Sequence, residues 1–301
     1  MYSRAGTHMI IDCHTHIWET ADQLGQADLG EPSPLAQRKP SRLSPTGRPI
    51  FRRIPPADPE LHWQQSLAVD KTIVLGFKSR LLKAEVPNTF VADYVRRHPE
   101  KLIGFAGIDP AETSALEDLR AASDELGLRG LTLSPSNQGF HPADTRAMLI
   151  FAEAERRKMP VLIHPGGHLA EAARLEFARP VLLDEVARTF PRLKLVIAQL
   201  GQPWVEETVV MLAKHPNVFA DVSGLLGRPW QAYNALVTAY QYGVIDKLLF
   251  GSDFPYTNAA GCIEALYSLN QIAHGTNLPI VPREALRGIV ERDALALLGL
   301  E

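Results

Sequence analysis

Short runs of β-branched and leucine-rich positions alternate along most of the chain with longer stretches whose apolar residues recur at about 3.6 spacing. The runs Ile10–Cys13, Thr72–Leu75, Leu102–Gly107, Gly130–Leu133, Val161–Ile163, Lys194–Ala198, Val218–Ala220 and Leu248–Phe250 predict eight strands. Helices are predicted between them over Pro87–His98, Thr113–Leu126, Pro142–Lys158, Val181–Phe190, Val205–His215 and Pro229–Tyr240. In the first of these, Val91, Tyr94 and Val95 share one face while Asp93, Arg96 and Arg97 take the other. A strand followed by a helix, repeated eight times, implies a closed (β/α)8 TIM barrel, because parallel neighbours need right-handed crossovers of this length. A doubly wound open sheet is the alternative. The apolar positions Leu286, Ile289, Val290, Ala294, Leu297 and Leu298 predict one terminal helix between Pro279 and Glu301, packed on the outside of the barrel.

Composition narrows the class. The 301 residues carry 34 acids and 31 bases, a net charge of −3, and 46% hydrophobic positions, enough for a full core and far from the basic surface of a nucleic-acid binder. Cys13 and Cys262 are the only cysteines, which excludes a disulfide framework and makes the cytoplasm the expected location. No run of about 18 apolar residues predicts a membrane span. Residues 1–8 read as a leader or tag, so one domain is expected over 9–301, and the charge and composition leave a homo-oligomer open. No glycine fingerprint follows the first strand and no GxxxxGK[ST] motif exists, so a nucleotide cradle is not expected.

One segment breaks the rhythm. Residues 20–59 form a long proline-rich loop, with Arg38, Lys39, Arg42, Arg48, Arg52 and Arg53 and no acid between Pro32 and Ala57. It is either a solvated linker or, since loops after barrel strands lie on the catalytic face, a basic cover for the mouth. On the second reading Arg48 and Arg52 attract an anionic small-molecule substrate.

The first strand ends Ile10-Ile11-Asp12-Cys13-His14-Thr15-His16, and side chains two apart in an extended chain point the same way. His14 and His16 can therefore aim at one point. His164 follows another short apolar strand, and Asp253 closes Leu248-Leu249-Phe250-Gly251-Ser252, where an unpaired buried carboxylate costs several kcal/mol. A barrel gathers such strand ends on one face, so three histidines and an aspartate suit one divalent metal, zinc first with manganese or iron as alternatives. Taken one at a time, each histidine is as well explained by satisfied core packing.

The motifs IIDCHTHIW, GLRGLTLSPSNQGFHP, PVLIHPGG, LKLVIAQLGQPWVEE and LLFGSDFP, in this order and at strand ends, resemble the amidohydrolase superfamily. Within it they are similar to amidohydrolase family 2, which includes aminocarboxymuconate-semialdehyde decarboxylase and related hydrolases, and the resemblance runs from Met9 to about Leu298. It implies that His14 and His16 are first-strand ligands, His164 the fifth-strand ligand and Asp253 the eighth-strand carboxylate and catalytic base. Two departures stand out. Gln199 occupies the sixth-strand position where the family usually has a histidine, and an amide donates a hydrogen bond but cannot titrate. The fourth strand, Gly130-Leu131-Thr132-Leu133-Ser134, lacks the lysine of binuclear members, which points to a single metal.

Around these residues, Trp18, Trp204 and Phe254 are candidates for stacking on a planar substrate, with rim packing as the plain alternative. His168 and His141 lie on loops of the same face and could stand in for the missing histidine or simply be solvated. Cys13 is expected to point away from His14 as buried packing. The leading functional expectation is metal-dependent hydrolysis of a small-molecule amide, lactone or ester. Non-oxidative decarboxylation of a small carboxylic acid is the first alternative, and a non-catalytic metabolite-binding barrel the second.

Overall fold

Eight parallel strands form one sheet in the computed structural model, which describes residues 9–25, 54–165 and 170–301. They are β1 (Ile11–His16), β2 (Lys71–Leu75), β3 (Leu102–Gly107), β4 (Gly130–Leu133), β5 (Val161–Ile163), β6 (Leu195–Ile197), β7 (Val218–Asp221) and β8 (Leu248–Leu249). Each strand pairs with the next in sequence, so the order around the sheet is the order along the chain. The ring closes where β1 meets the chain after β8. There the Cys13 N–H donates to the Phe250 carbonyl at 2.9 Å, Asp253 N–H to the His14 carbonyl at 2.9 Å, and His16 N–H to the Phe254 carbonyl at 2.9 Å.

Helices accompany the strands: α1 (Pro59–Ser66), α2 (Asn88–Val95), α3 (Ala115–Asp124), α4 (Thr145–Arg157), α5 (Asp184–Thr189), α6 (Val205–Lys214), α7 (Pro229–Gln241) and α8 (Ala259–Tyr267), of which α2 to α7 fall where the 3.6 periodicity predicts and α1 and α8 are additional. Two of them, α1 and α8, start on a capping side chain. Asp58 accepts the Leu61 N–H ahead of Pro59 in α1, and Asn258 accepts the Gly261 N–H in α8. Sequence reading did not anticipate the hairpin that follows β2, in which Phe77–Ser79 pairs antiparallel with Ala84–Val86.

Alternation along the strands separates two buried clusters. Val74, Leu131, Ile163, Ile197 and Ala220 share one with helix residues such as Val91, Leu119, Phe151 and Leu236. Ile11, Ile73, Phe105, Leu162, Val196 and Leu249 belong to the other, which fills the barrel. Gly130 serves this interior, because a Cβ there would come within 2.5 Å of the Phe105 ring.

The C-terminal segment differs from the expected single outer helix. It forms α9 (Arg283–Val290) and α10 (Ala294–Leu298), separated where Glu291, Arg292 and Asp293 interrupt the apolar stripe and Asp293 caps the new helix at the Ala296 N–H. Leu286, Ile289 and Val290 of α9 join the outer cluster as expected, but Ala294, Leu295 and Leu298 of α10 join the barrel interior with Ile11 and Ile103. The last helix is therefore part of the inner core. Residues 1–8, Arg48, Arg52, most of the 20–59 segment, and His168 lie outside the described residues.

Candidate metal centre

The first strand does not keep strict alternation. Ile11 pairs with Lys71, Asp12 with Thr72 and Thr15 with Val74, so β1 uses one more residue than β2 between Asp12 and Thr15. This bulge explains a departure from expectation. Cys13 belongs to the barrel-interior cluster, although it adjoins His14 and alternation would place it on the opposite side. Burial holds its thiol pKa well above the ordinary value, consistent with packing and not with a nucleophile.

His14 and His16 meet His164 from the end of β5. His14 Nε2 lies 3.1 Å from His16 Nε2 and 3.1 Å from His164 Nε2. Among the described residues this is the one group of three side chains able to hold a metal, with ligand atoms within 4.8 Å of one another. Zinc–nitrogen bonds of about 2.0–2.1 Å in a tetrahedron set neighbouring nitrogens roughly 3.3–3.4 Å apart, close to this spacing. One proton on His14 Nε2 cannot serve both facing nitrogens well, whereas one cation can. Asp253 lies beside the group, its Oδ1 at 3.5 Å from His14 Nε2 and 3.9 Å from His16 Nε2.

The remaining oxygen of Asp253 faces Gln199. Gln199 follows β6, and its Nε2 donates to Asp253 Oδ2 at 3.2 Å. Both residues adopt left-handed backbone, with φ of 62° at Asp253 and 56° at Gln199, conformations that cost about 1–3 kcal/mol each unless the surroundings enforce them. Gly224 sits against this contact with φ of 61°, and a Cβ there would lie 2.8 Å from Asp253 Oδ2 and 2.9 Å from Gln199 Nε2.

A carboxylate that sequence reading missed lies behind His14. Asp221, the last residue of β7, accepts His14 Nδ1–H at Oδ2 (2.9 Å), while its Oδ1 accepts the Gln199 N–H (3.0 Å), the Ser223 N–H (2.9 Å) and the Ser223 hydroxyl. The signal was present, since Val218-Phe219-Ala220-Asp221 ends an apolar strand in an acid just as the Asp253 segment does. Reading the strand as ending at Ala220 hid it.

Burial sets the ionisation of the acids. It pushes Asp253 up to about 6, only partly offset by the His14 charge, and likewise pushes Asp12 up to about 6 although Asp12 accepts the Ser252 and His14 N–H groups. Asp221 is equally buried. In its case the His14 charge and hydrogen bond, with Ser223 and the Gln199 N–H, outweigh desolvation and hold it below the carboxylate norm. Burial also opposes the His14 cation, but Asp221, with help from Asp253 and Asp12, carries its pKa above the usual imidazole value.

Behind β1 runs a second chain of hydrogen bonds. Tyr94 hydroxyl donates to His62 Nδ1 at 2.7 Å, His62 Nε2–H to Thr15 Oγ1 at 2.8 Å, and the Thr15 hydroxyl to the Ile73 carbonyl at 2.8 Å. These polarities require neutral His62, and burial, reinforced by the Lys101 charge, pushes its pKa down to about 3. Phe254, itself buried, packs edge-on against His62 with ring centres 5.2 Å apart.

Trp18 is buried beside His16, 6.4 Å between ring centres, and its indole N–H donates to the Pro55 carbonyl at 3.0 Å. Its backbone N–H donates to the Ala57 carbonyl at 3.0 Å, so the 20–59 loop leaves and returns beside the histidines. Trp204 stands half-buried at the start of α6. His141 braces its own loop, accepting the Ala143 N–H at 3.0 Å and meeting the Phe177 ring edge.

The sequence matches the family described as Amidohydrolase over residues 11–300. No curated protein matches it. Among solved structures it is similar to a TIM-barrel protein of uncharacterised function from Bordetella bronchiseptica, with 21% identity, a TM-score of 0.68, and 97% of this chain and 98% of that one covered. A probable 2-pyrone-4,6-dicarboxylic acid hydrolase from Acinetobacter baumannii, bound to citric acid, aligns with 16% identity and a TM-score of 0.63 over 96% and 99%. A dihydroxybenzoic acid decarboxylase from Polaromonas, holding manganese and 2-nitroresorcinol, aligns with 16% identity and a TM-score of 0.63 over 97% of each chain. No helix among the described residues is long and apolar enough to cross a membrane.

Proposed function

Because the chain belongs to the amidohydrolase family, matched from residue 11 to 300, we propose that it is a metal-dependent hydrolase of a small-molecule lactone, ester or amide. The observation that carries this reading is the convergence of three histidine Nε2 atoms with Asp253 Oδ1 at the seam of the barrel. His14, His16 and His164 would hold one divalent metal, zinc by the donor set with manganese or iron as alternatives, and Asp253 would add its free oxygen. When bound, such an ion supplies Lewis acidity to a substrate oxygen and acidifies water at the same place.

The chain's own groups do the rest. Asp253 keeps Oδ1 toward the histidines because Gln199 holds Oδ2, and the carboxylate so held would take the proton of the attacking water. Gln199 contributes donors and no ionisation, so Asp253 is the base without a titrating partner on the β6 side. Trp18 and Trp204 would bound the mouth, and Arg48, Arg52 and His168 would lend it positive charge for an anionic substrate. The cytoplasm remains the expected location.

Non-oxidative decarboxylation of a small carboxylic acid is the second reading, favoured by the decarboxylase neighbour as hydrolysis is by the pyrone hydrolase neighbour. One experiment separates them. Zinc- and manganese-loaded protein is offered a panel of lactones, esters, amides and aromatic acids while proton release and carbon dioxide are followed together. Hydrolysis gives acid without carbon dioxide, and decarboxylation gives carbon dioxide. Turnover no faster than in Asp253→Asn, from protein retaining less than about 0.2 metal equivalents, would instead leave a non-catalytic binding barrel.

A further inference from the structure

Asp221 is fully buried, and its two oxygens face different partners. Oδ1 collects three donors: the Gln199 N–H, the Ser223 N–H and the Ser223 hydroxyl. Oδ2 faces one, His14 Nδ1 at 2.9 Å. Ser223 Oγ also stands 3.0 Å from His14 Nδ1, and since its own proton goes to Asp221 it can only accept there. Every partner around Nδ1 is thus an acceptor. The proton of a neutral His14 must reside on Nδ1, which leaves Nε2 bare toward His16 and His164.

We propose that Asp221 is the positioning residue of this centre: it fixes the His14 tautomer that makes Nε2 a metal ligand, and through the Gln199 backbone it holds the residue that anchors Asp253. The proposal rests on the reading of His14 as a ligand and goes beyond it, because it assigns the ligand's competence to a residue on a different strand. An outer carboxylate of this kind raises the basicity of the ligating nitrogen and fixes the ring, and its loss commonly lowers metal affinity about 10–100-fold.

Asp221→Asn supplies a sharp test because the surroundings dictate how the amide must sit. Three donors converge on Oδ1, so the carbonyl stays on that side and the NH2 replaces Oδ2. An N–H then faces Nδ1, and the imidazole must shift its proton to Nε2, the nitrogen aimed at the cluster. We expect a folded variant whose zinc dissociation constant rises at least tenfold and whose His14 Nδ1 carries no proton in long-range 1H–15N spectra of histidine-labelled protein. A zinc affinity within threefold of wild type would overturn the proposal. Should the variant fail to fold, the wild type decides alone: a proton on His14 Nδ1 supports the assignment and a bare Nδ1 overturns it. If the wild type takes up no zinc, the metal reading fails by itself, and the tautomer still reports whether Asp221 sets the ring.

Discussion

Gln199 donates its side-chain amide to Asp253 Oδ2 at 3.2 Å, so the residue standing where a titratable histidine is usual is tied to the proposed base. Replacing it with alanine frees Asp253 to rotate but touches none of the three imidazoles. Gln199→Ala should lower turnover about tenfold, the equivalent of one ordinary hydrogen bond, while metal content stays at the wild-type level. Loss of the metal alongside the rate would make Gln199 a ligand. Steady-state kinetics and metal analysis on the same preparation distinguish the two.

Gly224 offers a steric route to the same contact. Its φ of 61° and the 2.8 Å that would separate an alanine Cβ from Asp253 Oδ2 leave no room for a larger residue. Gly224→Ala should cost about 1–2 kcal/mol of stability from the left-handed backbone and depress turnover more than Gln199→Ala does. A thermal melt together with a rate measurement tests this, and an unchanged rate would contradict the contact.

His62 predicts a pH dependence of stability. Its pKa is near 6.5 when unfolded and about 3 when folded. Between those values the unfolded chain binds a proton that the folded chain refuses, so the stabilisation is present above about pH 6.5 and is lost as pH falls toward 3. The slope should approach about 1.4 kcal/mol per pH unit for this one group. Urea midpoints measured near pH 7 and near pH 5 should fall more steeply for wild type than for His62→Gln, and equal slopes would show that His62 does not titrate in this way.

The last helix predicts a core effect from a residue near the end of the chain. Leu298 is buried in the barrel interior beside Ile11 and Ile103. Leu298→Ala should therefore cost about 2–5 kcal/mol in urea unfolding, as for a fully enclosed leucine. A helix lying only on the outer surface would cost well under that.

The basic loop gives a further expectation, since its ends at Trp18 and Ala57 are joined beside His16. Replacing Arg48 and Arg52 together by alanine should raise KM for an anionic substrate, with the difference shrinking as salt is added. An unchanged KM at low salt would return the segment to the role of a linker.

The barrel was legible because each strand is a short apolar run flanked by polar turns, and even the two-residue β8 stood out as Leu248-Leu249 before Phe250. His14, His16, His164 and Asp253 could be brought together from their places at strand ends, whereas Gln199 was singled out only through the family resemblance. Asp221 was missed because reading the strand as ending at Ala220 left its carboxylate out of the strand-end set, although barrel closure carries it to His14 across 207 residues. The side taken by Cys13 was hidden for a different reason. A bulge depends on how two strands register, which the residues of β1 do not state by themselves. In the tail, the spacing of apolar positions marked what would be buried but not against which layer.

The three backbone hydrogen bonds joining β1 to the chain after β8 bear on the order in which the site is assembled. His14 and His16 stand on the first strand and Asp253 follows the eighth, yet the seam aligns all three. Until the eighth strand docks, β1 is paired only with β2 and its histidines lack Asp253. The proposed base therefore joins the histidines only when the ring closes, so a chain cut before Asp253 should lose turnover even where His14, His16 and His164 are all present.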